Sequence, residues 1–427
     1  MNKRHQFTRR SFLKTSIASL ATLTIVPRHV LGGPGVTPPS EILTRAVIGT
    51  GGMGMGHVTS INTACKLLAV CDVDEKHLQT ALKAGGPDVK GYKDFRDVLA
   101  RKDIDIVHIP TPPHWHALIS IAAAKAGKDI WCEKPMTRTI AEGEAVKAAI
   151  NKHKRIFRLN TWFRFEGVFY GMGTHVKPIK KAAQAGLLGW PLKVTLGGTT
   201  GFDWKQNQWC GRTDLVEQPI PPELDYNLWL GPAPVKPYHP HRVHQSFRGY
   251  WDYDGGGLGD MGQHYLDPVQ YILGKDLESP VKIEADTNPQ DRDAVLPWRR
   301  ISIKYADGCE IVLDGENKDT APFISGPQGK LSKDLVSDIP DIDQKIQQLP
   351  DPEPQVTNFV EAVKTRKKFA LNETNGHRSC TLINLAKIAV ETGRPLRFNP
   401  KTQRFIDDAK ANAYIKQPMR APWKIQV

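Results

Sequence analysis

Paired cysteines are missing from this 427-residue chain. Its six cysteines, Cys65, Cys71, Cys132, Cys210, Cys309 and Cys380, never fall in C-x-x-C spacing, so neither a zinc site nor a disulfide framework is signalled. Cys71 and Cys132 lie in apolar runs and read as small buried hydrophobes. Long apolar runs are absent too. The stretch from Ile17 to Val26 is short and rich in Ser and Thr, so no permanent membrane anchor is expected. No block of Lys and Arg forms a stripe for nucleic acid, and six of the excess positive charges that make the net +13 fall in residues 1–33, where no acid occurs. A nucleic-acid partner is therefore not expected. Internal repeats and low-complexity segments are also lacking.

What is present begins with an address. Thr8 to Lys14 read TRRSFLK, followed by the weakly apolar stretch and PRHVLGG. A basic start, twin arginines and a modest apolar run predict a twin-arginine export signal over 1–33, without an A-x-A site to fix its cleavage. The expectation is export of the folded protein to the periplasm, which removes the need for disulfides there. The remaining length suits two domains.

From Thr44 to Asn160 apolar runs alternate with helical stretches: RAVIG, KLLAVCD, DIVHIP, DIWCEKP and RIFRLNT read as buried strands. That alternation predicts an α/β fold with a doubly wound parallel sheet over 41–160. Beyond it, LKVTLGGTT, VKIEAD and the pair RRISIKY and CEIVLDG, joined through Asp307-Gly308, read as strands of an α+β domain over 161–400 with an open, mainly antiparallel sheet. Pro- and Gly-rich loops fill 205–257, and 401–427 reads as a C-terminal tail.

VIGTGGMG places Gly49, Gly51 and Gly54 in G-x-G-x-x-G spacing after a strand and before a helix, with Gly52 and Met53 inside the turn. Glycines allow the tight turn and close backbone approach, and the helix N-terminus faces a pyrophosphate. Asp72 ends the next strand 21 residues after Gly51, where an acid holds the adenine ribose and repels a 2′-phosphate, so NAD is expected over NADP. Ligands of such sheets lie outside the carboxyl ends of strands. This adds Thr111, Pro112 and His116 after one strand, and Glu133 and Lys134 after another.

A second informative stretch is DYDGGGLGDMGQHYLD. Asp260 and His264 are four apart, on one face of a helix, with Asp267 one turn further. A carboxylate beside an imidazole fixes its tautomer, as a general base requires. The same spacing equally suits a glycine-rich loop capped by Asp260 with a satisfied buried histidine.

Taken together, VIGTGGMG, CDVD, TPPHWH, the E-K-P of WCEKPMTRT, LDYNLWLGPAP, GGGLGDMGQHYLD and the late VTNFVEAVKTRKK…NGHRSCTLINLAKIAVETGRPL resemble the glucose-fructose oxidoreductase and inositol dehydrogenase (Gfo/Idh/MocA) family. The resemblance implies a Rossmann domain, a substrate domain whose open sheet often forms a homo-oligomer interface, and hydride transfer from a sugar or glycoside hydroxyl to nicotinamide. It assigns Lys134 to hold the reacting oxygen, His264 to take the proton and Asp260 to orient His264. Asn160 and Arg164 follow the last Rossmann strand, where the family often places an arginine or polar side chain against cofactor or substrate, a structural ion pair being the even alternative for Arg164. Trp251 and Tyr253, with Trp204 and Trp209, are candidates to stack on a sugar face, packing being the even alternative. HPHRVH holds His239, His241 and His244 with no carboxylate evident nearby in sequence, and no metal is expected. A second class of activity within the resemblance is an NAD-dependent glycoside hydrolase of the family 109 type, working by transient C3 oxidation and elimination, although its Y-P-T-H motif is replaced here by H-Y-L-D. Either way, an exported enzyme cannot draw on a cytoplasmic nucleotide pool, so a tightly bound, recycled cofactor is expected.

Overall fold

The computed structural model describes residues 41–60, 65–161, 164 and 175–427, and the export signal read at 1–33 lies outside them. Six strands form the first sheet: β1 (Leu43–Ile48), β2 (Cys65–Cys71), β3 (Lys90–Tyr92), β4 (Ile106–Ile109), β5 (Asp129–Glu133) and β6 (Phe157–Asn160). All pairs are parallel, in the order β3-β2-β1-β4-β5-β6. The order reverses between β1 and β4, which opens a crevice at their carboxyl ends. Residues of β4 are buried throughout, as the uninterrupted apolar run requires when helices cover both faces. The short β3, Lys-Gly-Tyr, has no apolar pattern and pairs only at the sheet edge.

The second sheet has the order β12-β11-β7-β10-β9-β8-β13-β14. Its strands are β7 (Lys193–Leu196), β8 (Lys282–Thr287), β9 (Trp298–Lys304), β10 (Glu310–Asp314), β11 (Ile324–Gly326), β12 (Gly329–Leu331), β13 (Leu396–Asn399) and β14 (Arg404–Phe405). The β9–β10 hairpin turns through Asp307-Gly308, and its register sets Ile303 opposite Ile311 and Ile301 opposite Leu313. Only β7 and β10 run parallel among these pairs; the rest are antiparallel. Ile301, Ile303, Ile311 and Leu313 bury one face against the helices Gly256–Leu273 and Glu373–Thr392, through Tyr265, Val269, Leu382 and Leu385 among others. Burial of this kind contributes roughly 25 cal/mol per Å² of apolar surface.

Two parts of the chain bind the domains together. Phe359, Phe369 and Leu371 return to the first core, and Arg366 pairs with Asp129 at 2.6 Å. Residues 401–427, expected as a tail, add β14 to the second sheet and then carry Trp423 edge-on to Trp115, with ring centroids 4.7 Å apart. Beside the end of β2, Asp74 forms an antiparallel bridge with Leu224, and the Glu75 N–H donates to the Glu223 carbonyl at 2.9 Å. The second domain is thus stitched to the rim of the crevice.

Candidate active site

A cavity of about 630 Å³ opens at the β1/β4 crossover and runs between the two domains. Its first-domain wall is largely main chain. Gly49 has φ +93°, a conformation that favours glycine, and a Cβ there would stand 3.0 Å from Thr111. A Cβ on Gly54 would fall 2.0 Å from the Gly49 carbonyl oxygen, so the helix can approach the strand only through glycine. Gly51, Gly52 and Met53 line the cavity. The helix Gly52–Thr59 starts with no side-chain cap and no acid in its first turn, and nothing stands within 4 Å of a Cβ built on Gly52. This leaves room and positive electrostatic potential for a pyrophosphate. The buried Thr111 hydroxyl has no hydrogen-bond partner among the described residues and belongs to a cavity-lining residue. These features fit a dinucleotide.

Asp72 is held on the rim by the glycine turn and by its own loop: Oδ2 accepts from the Thr50 N–H at 2.6 Å, and Oδ1 from the Asp74 N–H at 2.9 Å. Pro112, Glu133 and Lys134 share the same cavity. Behind the wall, Glu133 Oε1 meets His57 Nε2 at 2.8 Å and accepts from Asn160 Nδ2 at 2.5 Å. Burial alone would raise the Glu133 carboxyl, but His57, Lys134 and Asn160 hold it below its ordinary value. His116 is fully buried, with its ring nitrogens 2.7 Å from the Pro135 and Thr111 carbonyl oxygens. It ties together two strand-end loops behind the cavity wall.

The ionisable groups gather where the second-domain wall meets Lys134, which follows β5 of the first domain. Lys134 Nζ donates to Asp260 Oδ1 at 2.7 Å and to the Asp260 carbonyl at 2.9 Å. Arg248 Nε reaches the same Oδ1 at 2.8 Å. Burial opposes the charge on Asp260, yet these two cations hold its carboxyl well below the usual range. His264, one turn along the helix, has Nδ1 2.9 Å from the Thr161 hydroxyl. Burial first, then the Lys134 charge, bring its imidazole down to about 3, with Asp260 pulling it back up. Asp260 is expected from the sequence to orient His264; in the structure its carboxylate is engaged by Lys134 and Arg248 and acts on His264 through charge, while the Thr161 hydroxyl stands in hydrogen-bond contact with ring Nδ1.

Several expected site residues lie elsewhere. Arg164, fully buried, forms ion pairs with Asp267 at 2.8 Å and Asp276 at 2.7 Å, a structural assignment rather than a ligand contact. Trp251 and Trp204 belong to the second-domain core. Tyr253 packs on Trp229 and His114, with centroids 4.9 and 5.2 Å apart. Packing wins for these three because each has apolar neighbours on a closed layer, whereas Trp209 lines the cavity with the Arg248 guanidinium 4.8 Å from its ring centroid. Asn160 stands behind Glu133 instead of in the cavity. His244, apart from His239 and His241, meets a carboxylate distant in sequence: its Nε2 is 3.4 Å from Asp74 Oδ2, and Asp74, His77 and His244 bring potential ligand atoms within 4.8 Å of one another.

Sequence reasoning missed Thr161, Arg248 and Asp254 at the site. Thr161 follows β6, so the strand-end rule applied to that strand would have found it. Arg248 and Asp254 carry no spacing signal, because folding of the 240–254 loops sets their positions.

Known proteins match along most of the chain. Residues 43–161 match the family model described as "Oxidoreductase family, NAD-binding Rossmann fold", and 172–425 match "Oxidoreductase family, C-terminal alpha/beta domain" of the same Gfo/Idh/MocA group. An uncharacterized oxidoreductase of Bacillus subtilis, YrbE, is 23% identical over 83% of this chain and 96% of its own length. An inositol 2-dehydrogenase of Salmonella paratyphi B is 30% identical over 36% of this chain, and the chain spans 44% of that relative's length. The crystal structure of the WlbA dehydrogenase from Chromobacterium violaceum, in complex with NADH and UDP-GlcNAcA, shares the fold with a TM-score of 0.59 at 20% identity, over 84% of this chain and 96% of that one. The chain belongs to the Gfo/Idh/MocA oxidoreductase family and carries its NAD-binding Rossmann domain.

Proposed function

We propose that this protein oxidises a hydroxyl-bearing carbon of a sugar or related polyol at the expense of bound NAD. The observation that carries this reading is the convergence of Lys134, Asp260 and His264 with the glycine turn on one cavity. NAD supplies a hydride acceptor when bound along the first-domain wall. Lys134 has an ammonium of three donors, two of them used on Asp260, and holds the substrate oxygen while negative charge develops there. Asp260, itself held by Arg248, keeps that ammonium placed. In the tautomer whose Nδ1–H donates to the Thr161 hydroxyl, the basic nitrogen of His264 is Nε2. A lowered basicity suffices when the proton leaves in step with the hydride, because the hydroxyl grows more acidic as its carbon gives up the hydride. The imidazole is neutral at physiological pH, as a base must be.

The inositol dehydrogenase among the relatives favours a polyhydroxy substrate. The twin-arginine stretch TRRSFLK favours export of the folded, cofactor-loaded protein to the periplasm, and therefore tight retention and in-place recycling of the nucleotide. We also expect a homo-oligomer through the open sheet. Protein recovered from the periplasmic fraction is predicted to release about one NAD per chain on denaturation; release of NADP, or of no nucleotide, would count against this reading. Incubation with nitrophenyl glycosides should liberate no nitrophenol. Its release would move the assignment to the eliminative glycoside hydrolase.

A further inference from the structure

Asp254 is buried at 1% exposure, yet it lines the cavity, and its Oδ1 has no hydrogen-bond partner among the described residues. A buried carboxyl left in this state costs stability and calls for a ligand or an explanation. The chain is built around it. A Cβ on Gly259 would fall 2.1 Å from Asp254 Oδ1, so only glycine at that position leaves the carboxyl its space. The Asp254 N–H donates to the Tyr250 carbonyl at 3.0 Å, which fixes the turn that presents the side chain.

Four charged groups face Asp254 from the surrounding elements: Asp260 on its helix, Lys387 on the helix Glu373–Thr392, Arg248 on the preceding loop and Lys134 after β5. None closes an ion pair with it. Lys134 and Arg248 are engaged by Asp260, and the Lys387 ammonium donates to the Arg138 carbonyl at 3.2 Å and to Asn384 Oδ1 at 3.5 Å. Burial, reinforced by the like charge of Asp260, pushes the Asp254 carboxyl up to about 7.

We propose that Asp254 is a substrate-binding residue whose carboxylate accepts hydrogen bonds from hydroxyls of a polyol or sugar, next to the hydroxyl presented to Lys134 and His264. This rests on the function proposed above. A carboxylate is acceptor-only with two oxygens, which matches a pair of neighbouring hydroxyls. Substrate binding then strengthens as pH rises through neutrality, over a range in which His264 stays neutral.

The test uses NAD-loaded full-length protein with three probes, myo-inositol, levoglucosan and methyl β-D-glucopyranoside. Binding is read by calorimetry and nicotinamide reduction by absorbance, at pH 6 and pH 8. For wild type, Kd and KM of the responding probe should fall about tenfold between the two pH values, the change in ionised fraction for a group titrating near 7. Asp254→Asn should weaken binding at pH 8 by about tenfold and lose the pH dependence, with KM rising more than kcat falls. Asp254→Ser, checked for unchanged NAD affinity, covers the case that the Asn variant folds poorly. An Asp254→Asn protein with the wild-type Kd and pH dependence, in a background where Lys134→Met abolishes reduction, would overturn the Asp254 assignment alone. A probe that binds in an Asp254-dependent way but is never oxidised would overturn the oxidation reading alone. If none of the probes binds wild type at either pH, both fall.

Discussion

On the first-domain side, the cavity wall is backbone and small residues: Gly49, Gly51 and Gly52, the helix start, and Asp72 held by two backbone N–H groups. On the second-domain side it is Arg248, Asp254, Asp260 and His264, met by Lys134 from the end of β5, and the Lys134 charge shifts the protonation of both acids and of the imidazole. The first wall needs only shape and the partial charges of a helix end, so its tolerances are steric. The second needs charges held away from water, where one lost partner changes the protonation of its neighbours. Substitutions on the two walls should therefore fail in different currencies: cofactor affinity on the first, turnover and pH dependence on the second.

The largest break expected is Lys134→Met. It removes the donor to the reacting oxygen and should lower kcat/KM by about 10³-fold or more with NAD affinity nearly intact, as steady-state kinetics and nucleotide titration would show. Next is Gly54→Ala, where the new methyl collides with the Gly49 carbonyl. NAD affinity should fall by roughly 100-fold or the domain should fail to fold, read by nucleotide binding and circular dichroism. Acid sensitivity comes third. His114, His264 and His377 are all brought down to about 3, chiefly by burial, so below their unfolded value near 6.5 the unfolded chain binds protons that the folded chain does not. Stability is then full above about pH 6.5 and falls towards pH 3, by about 1.4 kcal/mol per pH unit for each histidine, measurable as a falling denaturant midpoint. A flat midpoint over pH 6.5 to 4 would contradict that burial. Asp72→Asn should cost about tenfold in NAD affinity and narrow the preference against NADP, sharpening the claim that the first wall selects the cofactor. Smallest of all, Tyr253→Phe should change kcat/KM by less than about twofold, because the ring packs against Trp229 outside the cavity.

The same contrast explains what was legible in the sequence. The first sheet could be read from its apolar runs, because strands covered by helices on both faces leave no polar positions to obscure them; β3, an exposed edge of three residues, left no such run. Gly49, Gly54 and Asp72 were legible because each answers a local backbone demand at fixed spacing. Lys134 and His264 were found through strand-end position and helical spacing, but the partners that tune them were not. Thr161 meets His264 from 103 positions away and Arg248 meets Asp260 from a loop 12 positions before it, and no helix or strand periodicity links either pair. Arg164, Trp251 and Tyr253 show the converse: polar or aromatic residues beside informative motifs were closed off by Asp267, Asp276 and the two cores, contacts that only the tertiary fold determines.

The most direct test of the division between the walls is the fate of one hydrogen. Purified NAD-loaded protein is given a ring-deuterated probe sugar, and the nucleotide is recovered after a single turnover for mass spectrometry. Wild type is expected to yield reduced nicotinamide carrying one deuterium at C4 and Lys134→Met none, with both proteins binding NAD equally. Deuterium transfer that persists in Lys134→Met, or a sugar transformed with no deuterium ever reaching the nicotinamide, would contradict this expectation.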